Sequence, residues 1–73
     1  MDSTLMARRN GTWVLEWNQE NRVGDPVEWT DDSAKTWTAS TLASPAFLRG
    51  GEPVVRVRGA RRPVHLKDVA PVT

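Results

Sequence analysis

Alternating apolar and polar positions in the first half of the chain predict short β-strands. Trp13, Leu15 and Trp17 occupy every second position of one run, which is typical of a strand with one buried face. After a Gly-Asp-Pro turn, Val27 and Trp29 alternate with polar residues in the same way. We therefore predict a strand in each of these two stretches.

The middle of the chain combines strand and helix signals. Residues 35–38 are β-rich in composition and place a tryptophan between two threonines, while residues 38–42 fit either an extension of this strand or the start of a helical stretch. Ser44 is a suitable helix N-cap, Pro45 fits the first helical position, and Gly-Gly follows as a stop signal. These signals predict one short helical turn over residues 46–49.

The last third of the chain contains the clearest hairpin pattern. Valines alternate with arginines over residues 55–58, and Val64 and Leu66 match them on the other side of a tight connection at residues 59–62. Residues 67–69 can close a single helical turn before the chain ends in another short apolar stretch.

Together these elements predict a mainly β fold, with an α+β arrangement as the alternative. Four to five short strands with one short helical turn fit a small antiparallel sheet or an SH3-like barrel. Residues 1–10 lack useful periodicity and are expected to be a flexible N-terminal arm. Residues 11–73 then form a single small β-rich domain, since a chain of 73 residues has room for only one.

Four stretches carry a resemblance to a known fold family. They are GDPV at residues 24–27, KTWT at 35–38, EPVVRV at 52–57 and VHLKDVAP at 64–71. Together they resemble the SH3-like C-terminal domains of retroelement integrases. The resemblance implies the fold alone, because the integrase catalytic domain has no counterpart in this sequence.

Composition excludes several kinds of chemistry. The chain has no Cys and one His, which leaves no thiol nucleophile, zinc finger or multi-His metal centre. No serine lies in a nucleophile motif, and no glycine-rich stretch matches a phosphate-binding loop. No apolar run approaches the ~20 residues of a membrane span. We therefore expect a monomeric non-enzyme with no catalytic residues, metal or cofactor and no membrane partner.

The net charge of +1 conceals a segregation of charges along the chain. Residues 10–32 carry six acidic side chains and one basic one, whereas residues 49–67 carry six basic side chains and one acidic one. If the two stretches pair in the fold, the charges partly neutralise each other across neighbouring strands. If they lie on opposite faces, the basic face is suited to an acidic partner or a phosphate backbone.

Tryptophan and arginine supply the candidate binding residues. The four Trp are expected to form most of the core in the absence of disulfides, with one or two left at the surface, and Trp and Arg are the types most enriched at binding hot spots. Four arginines within seven residues suit either a solvated strand face or a binding surface. The candidate partner-binding residues are Trp13, Trp17, Arg56, Arg58, Arg61 and Arg62.

The length, the tryptophan-rich and cysteine-free composition, and the stretches MDSTL at 1–5 and GTWVLEW at 11–17 carry a second resemblance. The chain resembles small bacteriophage transcription regulators that bind host RNA polymerase, of the type found in lytic Xanthomonas phages. That resemblance implies binding to the β′ and β subunits in the host cytoplasm, interference with σ-factor engagement, and antitermination. It implies nucleic acid only as part of the transcription complex. The alternative is a small nucleic-acid-binding module that uses the Arg-rich hairpin, and a structural phage or plasmid component is a third.

Overall fold

The first element is a helix where alternation predicted a strand. This computed structural model describes residues 3–31 and 36–72, with side chains from residue 8 onward, and its helix α1 spans Ser3–Glu20. The strand prediction through Trp13, Leu15 and Trp17 is therefore wrong. Residues 3–10, where a flexible arm was expected, form the first part of the same helix.

The cause of this error lies in the residues that α1 turns towards the rest of the domain. They follow the three- and four-residue spacing of a helix, but only two of them are large and apolar. The buried or half-buried positions of the helix are Asn10, Gly11, Val14, Trp17 and Asn18, and Asn21 just after its end is also half-buried. Because three of these positions are asparagine, the sequence shows no apolar stripe. Helices of this length depend on packing more than on intrinsic propensity, and here the asparagines contribute to that packing.

The described residues contain six strands, which form two antiparallel sheets. They are β1 (Pro26–Trp29), β2 (Thr38–Thr41), β3 (Phe47–Arg49), β4 (Glu52–Val55), β5 (Val64–His65) and β6 (Val69–Pro71). The sheet orders are β2-β1-β6 and β3-β4-β5, and a bridge between Leu42 and Val57 connects them. One helix with two small antiparallel sheets confirms the expected mainly β or α+β class, with six strands instead of four or five.

The middle of the chain contains strands, as predicted, but the second of them begins later in the sequence than predicted. β1 lies where Val27 and Trp29 predicted it, and residues 38–41 form a strand and not a helix. In the predicted strand at 35–38, only Thr38 belongs to β2, Trp37 precedes the strand, and residue 35 lies outside the described residues.

The helical turn predicted at residues 46–49 is wrong, since this segment contains strand β3. Gly50 and Gly51 have φ angles of +57° and +82°, and they connect the paired residues Arg49 and Glu52. Positive φ at both central residues is typical of the type I′ turn, whose twist matches that of a hairpin. The two glycines therefore turn the chain between β3 and β4, and they do not stop a helix.

The last predicted hairpin is confirmed in one pair only, because Val57 bridges to Leu42 and Leu66 begins a 3-10 helix. Val55 lies opposite Val64, but the connection runs over residues 56–63 and is longer than predicted. A 3-10 helix at Leu66–Asp68 stands one residue before the helical turn predicted at 67–69, and it leads into β6.

The core lies between α1 and the two sheets. Its buried members are Trp17, Val27, Leu42, Ala46, Val55, Val57, Val64, Leu66 and Val69. Trp29 packs against this cluster, whereas Trp13 and Trp37 are 38% and 50% exposed. Two of the four Trp thus belong to or contact the core and two remain at the surface, where one or two were expected.

Candidate functional site

Two asparagines attach α1 to the β3–β4 hairpin. Asn18 donates to the carbonyl of Ala46 at 3.1 Å and accepts from the amide of the same residue at 2.8 Å. Asn10 donates to the carbonyl of Gly51 at 2.8 Å, at the far end of the hairpin. Because the later helix residue binds near the start of β3 and the earlier one binds at the turn, α1 runs antiparallel to β3. This attachment fixes the position of Trp13 between the two contacts.

Trp13 packs edge-on against His65 of β5. The ring centroids are 5.6 Å apart with an interplanar angle of 69°, a T-shaped arrangement favoured by the charge distribution of aromatic rings. His65 Nε2 lies 3.0 Å from Glu52 Oε2 on the neighbouring strand. An exposed indole is thus held in place by a histidine that is itself held by a carboxylate.

The neutral form of His65 has one tautomer compatible with these contacts. Its Nδ1 accepts a hydrogen bond of 3.1 Å from the backbone amide of Lys67, so the proton lies on Nε2 and is donated to Glu52. We expect ¹⁵N spectra of the imidazole at a pH where it is neutral to show the Nε2–H tautomer. Glu52→Gln, which keeps an acceptor for Nε2–H and leaves the Lys67 contact intact, should retain this tautomer. A dominant Nδ1–H signal would contradict the arrangement.

A groove of about 500 Å³ opens beside His65. Its walls are residues 29–31 at the end of β1, residues 60–65 in the connection to β5, and Asp68 of the 3-10 helix. We call it the Trp29 groove, after its largest aromatic side chain. The volume falls within the roughly 300–1,000 Å³ of ligand-binding clefts.

Charged groups in the Trp29 groove lie at different depths. Arg61, Arg62 and Asp31 are exposed, whereas Asp68 is half-buried. Among the described residues, neither guanidinium forms an ion pair and the Asp68 carboxylate has no hydrogen-bond partner. The groove therefore carries two exposed guanidinium groups and the exposed Asp31 carboxylate, together with the more enclosed carboxylate of Asp68.

The six candidate partner-binding residues lie in different environments in the structure. Trp17 is 8% exposed and belongs to the core, so it is removed from the candidate surface. The Arg56 guanidinium carbon lies 5.9 Å from the centroid of the Phe47 ring, within cation–π range. Arg58 is exposed, and neither it nor Arg56 lines the Trp29 groove.

Three of the candidates meet around one histidine. Arg61 and Arg62 line the Trp29 groove together with His65, and Trp13 packs on that same His65. The other members of this surface, Trp29, His65 and Asp68, were not among the candidates. Their positions along the chain carry no shared motif, and only the closure of the two sheets brings them together.

The acidic stretch at residues 10–32 and the basic stretch at residues 49–67 form no ion pair with each other between described residues. The one ion pair between described residues joins His65 to Glu52, the single acid of the basic stretch. Glu28 in β1 lies between Ala39 and Ala70, its partners on the two neighbouring strands. Among the described residues, no ion pair therefore joins the acidic stretch to the basic stretch.

Within residues 3–31 and 36–72, no group of three or more His, Asp or Glu residues is placed to hold a metal ion. In the same residues, no helix is both long and apolar enough to cross a membrane.

Comparison with known proteins finds no relative of this chain. No protein-family model, curated protein or solved structure matches the chain.

Proposed function

We propose that this chain is a non-enzymatic regulator that binds the large β′ and β subunits of bacterial RNA polymerase. The proposal rests on the resemblance to phage transcription regulators and on one observation about the surface. Trp13, Arg61 and Arg62 are exposed around His65, and these residue types dominate binding hot spots. By occupying a polymerase surface that the σ factor needs, the chain would inhibit initiation, and its continued attachment would permit antitermination.

Trp13→Ala tests this role directly. Loss of a hot-spot tryptophan costs at least about 2 kcal/mol, which is a roughly 30-fold weaker affinity for the polymerase. Leu15→Ala is the matched control, since Leu15 is 66% exposed on the same helix and has no comparable contact. Affinities should be measured with purified polymerase and with isolated β and β′ subunits, while residue-resolved spectra report which surface responds. If no subunit co-elutes with the chain or shifts its resonances, the proposal fails.

A second candidate is a small nucleic-acid-binding module. The Arg-rich hairpin has no aromatic residue of its own in the sequence, but the structure places Trp29 in the same groove as Arg61 and Arg62. Aromatic and basic side chains together are the usual components of single-strand binding surfaces. Arg61→Ala with Arg62→Ala separates the two functions, because it should abolish nucleic-acid binding at physiological salt, leaving only weak binding at low salt, and only weaken a protein interface that also uses Trp13.

A further inference from the structure

We propose that the Trp29 groove binds single-stranded nucleic acid, with one unstacked base inside the groove and the neighbouring phosphates on Arg61 and Arg62. This inference rests on the second candidate function and goes beyond it by naming the form of the ligand and the position of its parts.

The order of charges across the groove favours a nucleotide over other anions. Arg61 and Arg62 are exposed and form no ion pair among the described residues. They outnumber Asp31, the one exposed carboxylate of the lining, so the rim suits phosphates. Asp68 is half-buried and has no partner among the described residues, so an anion placed deep in the groove would be repelled. An acidic peptide carries its charge on every side chain, whereas a nucleotide has an anionic backbone and an uncharged base.

The interior of the groove offers the contacts that a base requires. Trp29 provides an aromatic surface, and Ala60, Pro63 and Val64 add apolar wall. Bases stack on such surfaces whatever their sequence. The Asp68 carboxylate can accept a hydrogen bond from an exocyclic amino group, as acidic side chains do from cytosine. The site should therefore prefer bases that carry an amino group over thymine or uracil.

A concave groove also distinguishes single strands from duplexes. A base can enter a pocket only when it is free of its neighbours and its complement, as in single-stranded recognition. A duplex would reach the exposed arginines alone and leave the interior empty.

The test uses the full chain and short labelled oligo-dC, oligo-dT, oligo-rC and duplex DNA, with affinities measured at several salt concentrations. We expect oligo-dC to bind about 5-fold or more tighter than oligo-dT, the discrimination that one good base contact provides. The Trp29 indole proton should shift on binding. Asp68→Asn should bring the dC-to-dT ratio close to one while leaving salt dependence unchanged. Comparison of oligo-rC with oligo-dC identifies which nucleic acid is favoured.

The phosphate contacts have a matched control. Arg61→Ala with Arg62→Ala should reduce the slope of log affinity against log salt by about 1.4, or about 0.7 for each phosphate that is no longer neutralised. The control variant, Arg8→Ala with Arg9→Ala, removes two exposed arginines that are neighbours in the sequence and do not line the groove. It should leave the base preference and most of the salt slope unchanged.

Different failures have different meanings. Equal binding of oligo-dC, oligo-dT and duplex, or a Trp29 indole proton that does not respond, would overturn base insertion while the Arg-dependent module survives. Absence of all nucleic-acid binding would overturn both base insertion and the nucleic-acid-binding module, and it would leave the polymerase proposal unaffected. A poly-glutamate peptide that shifts the groove resonances where oligonucleotides do not would overturn the inference in favour of an acidic protein segment.

Discussion

Replacing Trp17 with alanine is expected to lower the free energy of unfolding by about 3–5 kcal/mol. The side chain is 8% exposed, and it is the largest residue that α1 contributes to the core. A domain of 73 residues has a total stability of about 4–11 kcal/mol, so this loss removes much of what holds the chain folded. Urea unfolding followed by far-ultraviolet circular dichroism measures the change.

Trp17→Phe is the matched variant for this prediction. The indole Nε1 of Trp17 is buried with no hydrogen-bond partner among the described residues. Phenylalanine keeps an aromatic ring and removes an unsatisfied donor, so it should cost less than half as much as alanine. A loss under about 1 kcal/mol for Trp17→Ala would show that α1 does not pack on the sheets in solution.

Replacing Asn18 with alanine is expected to cost about 1–3 kcal/mol, although the side chain is polar. Its amide satisfies both the N–H and the C=O of Ala46 in a partly buried position. The variant leaves this donor and acceptor unpaired, and the amide hydrogen of Ala46 should exchange faster with solvent. Asn18→Asp should fall between the wild type and alanine, because a carboxylate retains the acceptor and loses the donor.

The neighbouring Gln19 supplies the control for Asn18. It is exposed on the same helix, so Gln19→Ala should change stability by no more than about 0.5 kcal/mol. If the two alanine variants are equally stable, the asparagine contact contributes nothing to the docking of α1.

The sequence predicts the strands after residue 25 better than the helix before it, for a physical reason. Val27 and Val64 are apolar residues on buried strand faces, and burial of such residues produces alternation that can be seen in a sequence. In α1 the inward positions include two asparagines, Asn10 and Asn18, while Leu15 on the outside is 66% exposed. A pattern based on hydrophobicity therefore selects the wrong period in this part of the chain.

The candidate site is predictable only in part. Trp and Arg were selected as candidates by residue type; Trp13, Arg61 and Arg62 are exposed in the structure, whereas Trp17 lies in the core. Burial separates the two tryptophans, although they are four residues apart on one helix. Residue type does not single out Asp68, since its proposed role comes from a carboxylate that has no partner among the described residues and lies in a groove that long-range packing creates.

The asparagine contacts also set the order in which this protein can fold during synthesis. Asn10 and its partner Gly51 are 41 residues apart in the chain. At about 5–20 residues per second, the ribosome needs roughly 2–8 s to add that length. An isolated helix of this size is only marginally stable in water, so α1 can interconvert between helical and unfolded conformations during this interval. The N-terminal element is made first and docks only after the hairpin turn has been synthesised.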